Sequence, residues 1–455
     1  MIDMFSRKNI ILIVASTAVF FEALDIAILN LAIPLIRTQF HLANDVMQWL
    51  QTVYVLLYGG FLIMGGKLCD SIGRKKVFVA GSLLFLITSL GAGLSPSFAT
   101  LVFFRGLQGL AAAMVMPAAM SIITNAFTDL TERNKAISIF SSFAAVGSGC
   151  GLSAGGIIAT HMGWQWVFFI NVPVITVALL LALKYIDKDV PSANQRQPPD
   201  IISASLLIIN ILLLSYMVHS LGDLQNNALL LFTALVVFVI SVTLFFYRSK
   251  KIKIPYIDFS LFKDTYTIAG NGVTILLGAI FSGYLFAVSL VFQQNMHYTA
   301  AQAGLLLFPF SIFSALVSKF VVPGILKRLS LVKTSILGLA LMFTGTVLLI
   351  CSMQFHNNLV LLLLSAACIT GSGMSVTFPG LTVMSMHHIP KEQHGLAASV
   401  CTTSYFLGAG LGLSILSVFM QLSNSVNNIV YLPITTLSIY AIVGIAWLLY
   451  VLKKK

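Results

Sequence analysis

Residues 66–76 read Gly66-Lys67-Leu68-Cys69-Asp70-Ser71-Ile72-Gly73-Arg74-Lys75-Lys76 and join two long apolar runs, 46–66 and 76–95. Two glycines suit a tight reversal of the chain, where any side chain would crowd the turn. Asp70 and Arg74 are placed to pair with each other, or with the ends of neighbouring helices, whose partial charges attract them. The stretch therefore predicts a charged reversal between two helices that are otherwise too apolar for water.

The rest of the chain has the same character. Of 455 residues, 58% are hydrophobic and 9% charged, and the mean hydropathy is +0.96. A soluble chain carries about 25% charged residues to cover its surface, so a polytopic membrane protein is expected. A span needs about 20 apolar residues, and lipid leaves only helices or a closed barrel for the backbone. The sequence has no alternating strand pattern, and fourteen apolar runs, from 10–36 to 430–450, predict fourteen helices. Arg7 and Lys8 precede the first run as in a signal peptide. That run is long, carries Glu22 and Asp25 and lacks a small-residue cleavage site, so it is expected to stay as the first span.

The net charge of +12 reports topology. Of 26 Lys and Arg, all but Arg37 and Arg105 fall on one side of the membrane on this helix count. Cytoplasmic loops retain Lys and Arg, so both termini are expected in the cytoplasm. No basic stripe with interleaved aromatics points to nucleic acid, and five scattered cysteines give neither a disulfide framework nor metal spacing.

Two polar stretches, DKDVPSANQRQPPD (187–200) and YRSKKIKIPYIDFSLFKD (247–264), bracket a pair of extra helices between two six-helix halves. The division expected is 1–190, a linker with two helices over 191–255, and 256–455. The halves repeat: PGILKRLSLVKTSILG (323–338) aligns Gly324 with Gly66 and Leu326 with Leu68, but has lost the Asp and the second Gly. Repeated helical bundles are a hallmark of secondary transporters.

On these residues the chain resembles the major facilitator superfamily, whose segment between helices 2 and 3 carries G-x-L-x-D-x-x-G-R-[KR]. That resemblance implies an all-α membrane fold of two six-helix halves plus two central helices. It also implies a conformational latch at Gly66, Asp70, Gly73 and Arg74 that stabilises the outward-open state.

Three further motifs narrow the resemblance. LVFFRGLQGLAAAMVMP (101–117) puts Arg105 about a turn into an apolar helix, where a charge needs a cavity or a partner. Followed by Gln108 and Gly109, it looks like the family's helix-4 motif, which implies a part in proton transfer or its coupling. FFEALDIAILNLAIP (20–34) resembles the first helix of the fourteen-helix drug:proton antiporters, with Ala27 in place of their usual Thr. Glu22 and Asp25 lie three apart on one helix face and are expected to share a proton. In the fifth run, Gly147, Gly151, Gly155 and Gly156 resemble the antiporter glycine motif, with Leu152 where that motif has Pro. Trp49 to Leu56, Trp164 to Pro173, and the 290–309 stretch with Gln293, Gln294 and Pro309 extend the likeness over most of the chain.

Polar or aromatic residues in mid-span, Gln51, Tyr54, Asn271, Tyr284, Phe378 and Tyr405, are candidates for a substrate cavity. No nucleophile elbow, metal-ligand cluster or P-loop is present in the sequence. The expected protein is thus not an enzyme and needs no cofactor beyond the proton gradient. It is expected to be a monomeric bacterial cytoplasmic-membrane pump that exchanges protons for lipophilic, cationic small molecules. The alternatives are an exporter of one endogenous metabolite, lipid or siderophore and, more remotely, a membrane-embedded enzyme or receptor.

Overall fold

The computed structural model describes residues 7–187, 200–221, 224–252, 264–387, 389, 394–424 and 431–454. Lys188, Arg196, Lys253, Lys263, Lys391 and Lys455, part of the basic side in the charge count, lie outside them. Fourteen helices among the described residues are long and apolar enough to cross a membrane. They are α1 (Arg7–Phe40), α2 (Trp49–Ile72), α3 (Arg74–Gly93), α4 (Phe98–Ala126), α5 (Thr131–His161), α6 (Trp166–Tyr185), α7 (Ile201–Ser220) and α8 (Ala228–Lys251). The rest are α9 (Thr265–Asn295), α10 (Ala300–Arg328), α11 (Leu331–Gln354), α12 (Leu359–Ser385), α13 (Ala397–Leu422) and α14 (Tyr431–Lys453).

Several helices begin where a short polar side chain takes up the N–H groups that the first turn leaves open. Ser97, Asp129, Asp264, Ser330 and Asn358 do this for α4, α5, α9, α11 and α12. Large apolar side chains stay exposed, as at Leu229, Phe232 and Val239 on α8. Lipid tails accept such faces without cost.

The chain divides into two compact units. The first comprises Met1–His41, Phe61–Ile201 and Thr299–Phe308; the second comprises Leu42–Gly60, Ile202–Tyr298 and Pro309–Lys455.

In the first unit a ladder of glycines seats α5 on α1. A Cβ added at Gly147 would lie 2.3 Å from the Phe20 carbonyl oxygen, and one at Gly151 2.7 Å from that of Leu24. At Gly155 it would lie 2.4 Å from Ile28 Cγ1. Steps of four on one helix meet steps of four on the other, the close approach that small residues permit in membranes. Gly156 faces another helix, its Cβ position 2.0 Å from the Ala300 carbonyl oxygen at the start of α10.

The reversal after α2 differs from its sequence reading. Helix α2 continues through Gly66 to Ile72, and the break is Gly73 alone, at φ +104°. A Cβ at Gly66 would meet nothing within 4 Å, so crowding of a turn does not explain that glycine. Its repeat partner Gly324 is equally open. No ion pair joins Asp70 to Arg74 among the described residues, because the break at Gly73 takes them off a common helix. Lys75 instead donates to the carbonyls of Leu183 (2.9 Å) and Ile186 (2.5 Å) at the end of α6. A cation there meets the negative end of the helix dipole.

Adjacent glycines on α2 give opposite expectations. At Gly65 a Cβ would fall 1.9 Å from the Ala113 carbonyl oxygen on α4. Gly65→Ala should therefore cost about 1–3 kcal/mol by overpacking, whereas Gly66→Ala should leave stability unchanged or slightly raised. Thermal unfolding of the two variants in detergent checks this; equal losses would contradict the packing described.

In the second unit α7 lies along α2 and α13. Ile208 occupies the space beside Gly60, and the Ser215 and Ser414 hydroxyls hydrogen-bond. His219 Nδ1 is 2.6 Å from Ser417 Oγ, and its ring meets Trp49 edge-on at 5.5 Å.

Candidate functional site

Four helices of the first unit bring polar groups to one point inside an apolar core. Asp25 on α1 and Arg105 on α4 are both fully buried, with Arg105 Nη1 2.5 Å from Asp25 Oδ2. Asn171 on α6 donates through Nδ2 to the other carboxylate oxygen at 3.0 Å. Arg105 Nη1 also donates to Gln108 Oε1 (2.9 Å), and Gln108 Nε2 donates to Ser89 Oγ on α3 (2.9 Å). The guanidinium carbon lies 5.9 Å from the centre of the Phe168 ring, within cation–π range. Ions out of water stay charged only when paired and hydrogen-bonded, and this network supplies both.

Arg105 has the buried partner that its place in an apolar run requires, and its side chain has no exposed surface. One expectation from the sequence is corrected: Glu22 and Asp25 do not form the central pair, since both Asp25 oxygens face Arg105 and Asn171. A cation compensates a buried carboxylate, which a second carboxylate cannot do. Glu22 lines a separate cavity of about 30 Å³ with Thr17, Phe21, Ser82 and Phe85. That is room for one or two waters, and too little for a drug. As the second carboxylate of α1, Glu22 adds negative potential without touching the cargo, so Glu22→Gln should leave transport of neutral compounds nearly intact while weakening that of cations, as measured by accumulation of one compound of each kind. Equal loss for both would remove Glu22 as a counter-charge.

Asn171, Ser89 and Phe168 escaped the sequence reading. The signal available for Asn171 was an amide in the middle of WVFFINVPVI, an otherwise apolar stretch.

All six cavity candidates fall in the second unit. Three of them, Tyr54, Tyr405 and Phe378, belong to one chain of ring contacts. Tyr54 meets Tyr58 at 6.1 Å, Tyr58 meets Phe406 at 4.3 Å, Phe406 meets Tyr405 at 5.3 Å, and Tyr405 meets Phe378 at 5.7 Å. Tyr58 and Phe406 are the links that the sequence did not single out. Tyr54 and Tyr58 are buried, while Tyr405 and Phe378 are partly exposed. Gln51 is also buried, with no bond to its Oε1. Asn271 and Tyr284 lie apart from the rings. Asn271 donates to the Thr267 carbonyl and accepts from Ser404, and the fully buried Tyr284 hydroxyl accepts from Ser365. Both tie helices together.

The sequence profile of the Major Facilitator Superfamily matches residues 15–288 and 272–455. The chain belongs to that superfamily. Among its relatives, multidrug resistance protein Stp of Mycobacterium tuberculosis is 29% identical over 89% of this chain and 74% of that protein. The lincomycin resistance protein of Streptomyces lincolnensis is 28% identical over 86% and 80%. Multidrug efflux pump LfrA of Mycolicibacterium smegmatis is 29% identical over 90% and 80%. Solved structures share the facilitator fold at low identity. A transporter of the POT family, PepTSo, has TM-score 0.72 at 14% identity over 98% of this chain and 96% of its own. A D-xylose-proton symporter has TM-score 0.68 at 14% identity over 98% and 97%.

Proposed function

We propose that this facilitator exports lipophilic, cationic drugs or toxic compounds by drug/proton antiport. The observation that supports this best is the sealed Asp25–Arg105 pair, a charge pair inside the span region with no structural task that apolar residues could not perform. Intramembrane ionisable residues mark transport pathways and proton relays by default. A proton reaching Asp25 removes the negative partner of Arg105, so protonated and unprotonated forms favour different arrangements of α1, α4 and α6. A drug that binds one form better then shifts the population, and the difference in affinity sets how far. The names of Stp, LfrA and the lincomycin resistance protein agree with a drug as the cargo.

In the same reading the chain consists of an N-terminal six-helix bundle (1–190), a linker with two helices (191–255) and a C-terminal six-helix bundle (256–455). It acts as a monomer in the bacterial cytoplasmic membrane, with both termini in the cytoplasm. The proton gradient is its energy source and no cofactor takes part. The partly exposed rings of Tyr405 and Phe378, with the buried Gln51 and Tyr54 of the same unit, supply the apolar and polarisable surface for the cargo. Gly66, Asp70, Gly73 and Arg74 act as a latch.

The test is proton movement in everted vesicles containing the wild-type protein. Lipophilic cationic dyes should each release protons from acidified vesicles; silence with every dye, and a response to one endogenous metabolite, would favour the narrow exporter. For the latch, Asp70→Asn should slow transport about fivefold or more. Asp70 is exposed, so thermal stability should stay near wild type. Loss of folded protein would make Asp70 a structural residue instead.

A further inference from the structure

We infer that Asn171 is a positioning residue that holds Asp25 in both of its protonation states by turning its amide over. This rests on the proposed proton coupling at Asp25 and deepens it. Asn171 is fully buried on α6 and donates through Nδ2 to Asp25 Oδ1 at 3.0 Å. Its own Oδ1 is buried with no hydrogen-bond partner. A buried amide oxygen left unbonded is costly, so its retention next to an ion pair points to a second arrangement in which it is used.

The chemistry of the pair supplies that arrangement. An ionised carboxylate only accepts hydrogen bonds, so Asn171 must face it with the NH₂ group. A protonated carboxyl carries an O–H donor, and the matching partner is then the amide oxygen. Rotation of the Asn171 side chain about its last torsion, a broad and shallow one, exchanges the two. One residue thus offers a donor to the charged form and an acceptor to the neutral form. Leucine, serine and lysine lack the means to do both with equal reach. The charged and titratable groups around Asp25 are Arg105 from α4 and, one turn back on α1 itself, Glu22. Helix α5 meets this stretch of α1 through Gly147, Gly151 and Gly155, and α3 reaches the network only through Ser89. Asn171 is therefore the neutral group whose change most directly alters the proton balance at Asp25.

The measurement is an infrared pH titration of purified protein, following the protonated-carboxyl band that Asp25→Asn removes. Asn171→Leu, nearly isosteric but able neither to donate nor to accept, should move the titration midpoint upward by about one pH unit, because the charge-assisted bond lost from the ionised form is stronger than the neutral bond lost from the protonated form. Asn171→Ala removes the same amide without bulk and should move it the same way, which keeps the test open if the leucine variant does not fold. Asn171→Ser, which retains a donor and an acceptor, should fall between these and wild type. The inference is overturned if both apolar variants fold and keep the wild-type midpoint, or if the midpoint moves downward. A parallel dye assay on everted wild-type vesicles separates the two readings. If wild type moves no protons while the titration still shifts, the coupling proposal fails and the positioning of Asp25 by Asn171 stands.

Discussion

Arg105→Gln alone is expected to cost about 3–5 kcal/mol of stability, because it leaves the Asp25 carboxylate buried without its cation. Asp25→Asn alone should cost a similar amount by stranding the guanidinium. Combined, the two changes put a pair of neutral amides where an ion pair stood. Amides can hydrogen-bond each other, so the double variant should recover most of the loss. Thermal unfolding of the four proteins in one detergent closes the cycle, and losses that simply add would mean the two side chains do not interact. A Glu22→Gln/Arg105→Gln combination serves as a control. Glu22 faces its own cavity, so it should not rescue.

The second large effect is on transport. Asp25→Asn should abolish accumulation against a gradient, because an amide cannot take up and release the coupling proton. Exchange of labelled for unlabelled drug across the membrane, which needs no net proton movement, should persist in any variant that folds. The division follows from linkage: removing the proton removes the energy input and leaves the proposed drug surface unchanged. Measured on the double variant Asp25→Asn/Arg105→Gln, the result is free of the stability loss that burdens either single change.

The helices were legible because lipid demands a continuous apolar run for each crossing, and loops of one charge sign fix the count. Their ends were less so. The first run stops being apolar near residue 36, but α1 continues to Phe40, where the Thr38 hydroxyl bonds back to the Pro34 carbonyl and hides its polarity from lipid. The reversal at Gly73 was visible as a glycine but not as a single-residue break, since nothing in Gly66 distinguishes an open position inside a helix from a turn. In the repeat no glycine stands before α11; Ser330 starts that helix by accepting from the Lys333 N–H.

The candidate site was legible in its charges and not in its pairings. Asp25 and Arg105 each stood out as an ion in an apolar run. What joined them was 80 residues of chain folding back, which no local pattern encodes. Glu22 drew attention as a partner because proximity along a helix is the one kind of contact a sequence displays. Asn171 lies 146 residues from Asp25, and an amide among apolar residues has several ordinary explanations. The ring chain met the same limit. With 33 Phe in the chain, composition could not separate Phe406, which touches Tyr58, from the many that face lipid.

The most direct measurement is uptake of a lipophilic cationic dye into everted vesicles under an imposed proton gradient. It compares wild type with Asp25→Asn/Arg105→Gln, with dye exchange recorded in the same vesicles. Wild type should accumulate dye and collapse the proton gradient as it does so, while the double variant should exchange dye without accumulating it. Accumulation by a double variant that has neither charge would contradict proton coupling at Asp25 and Arg105.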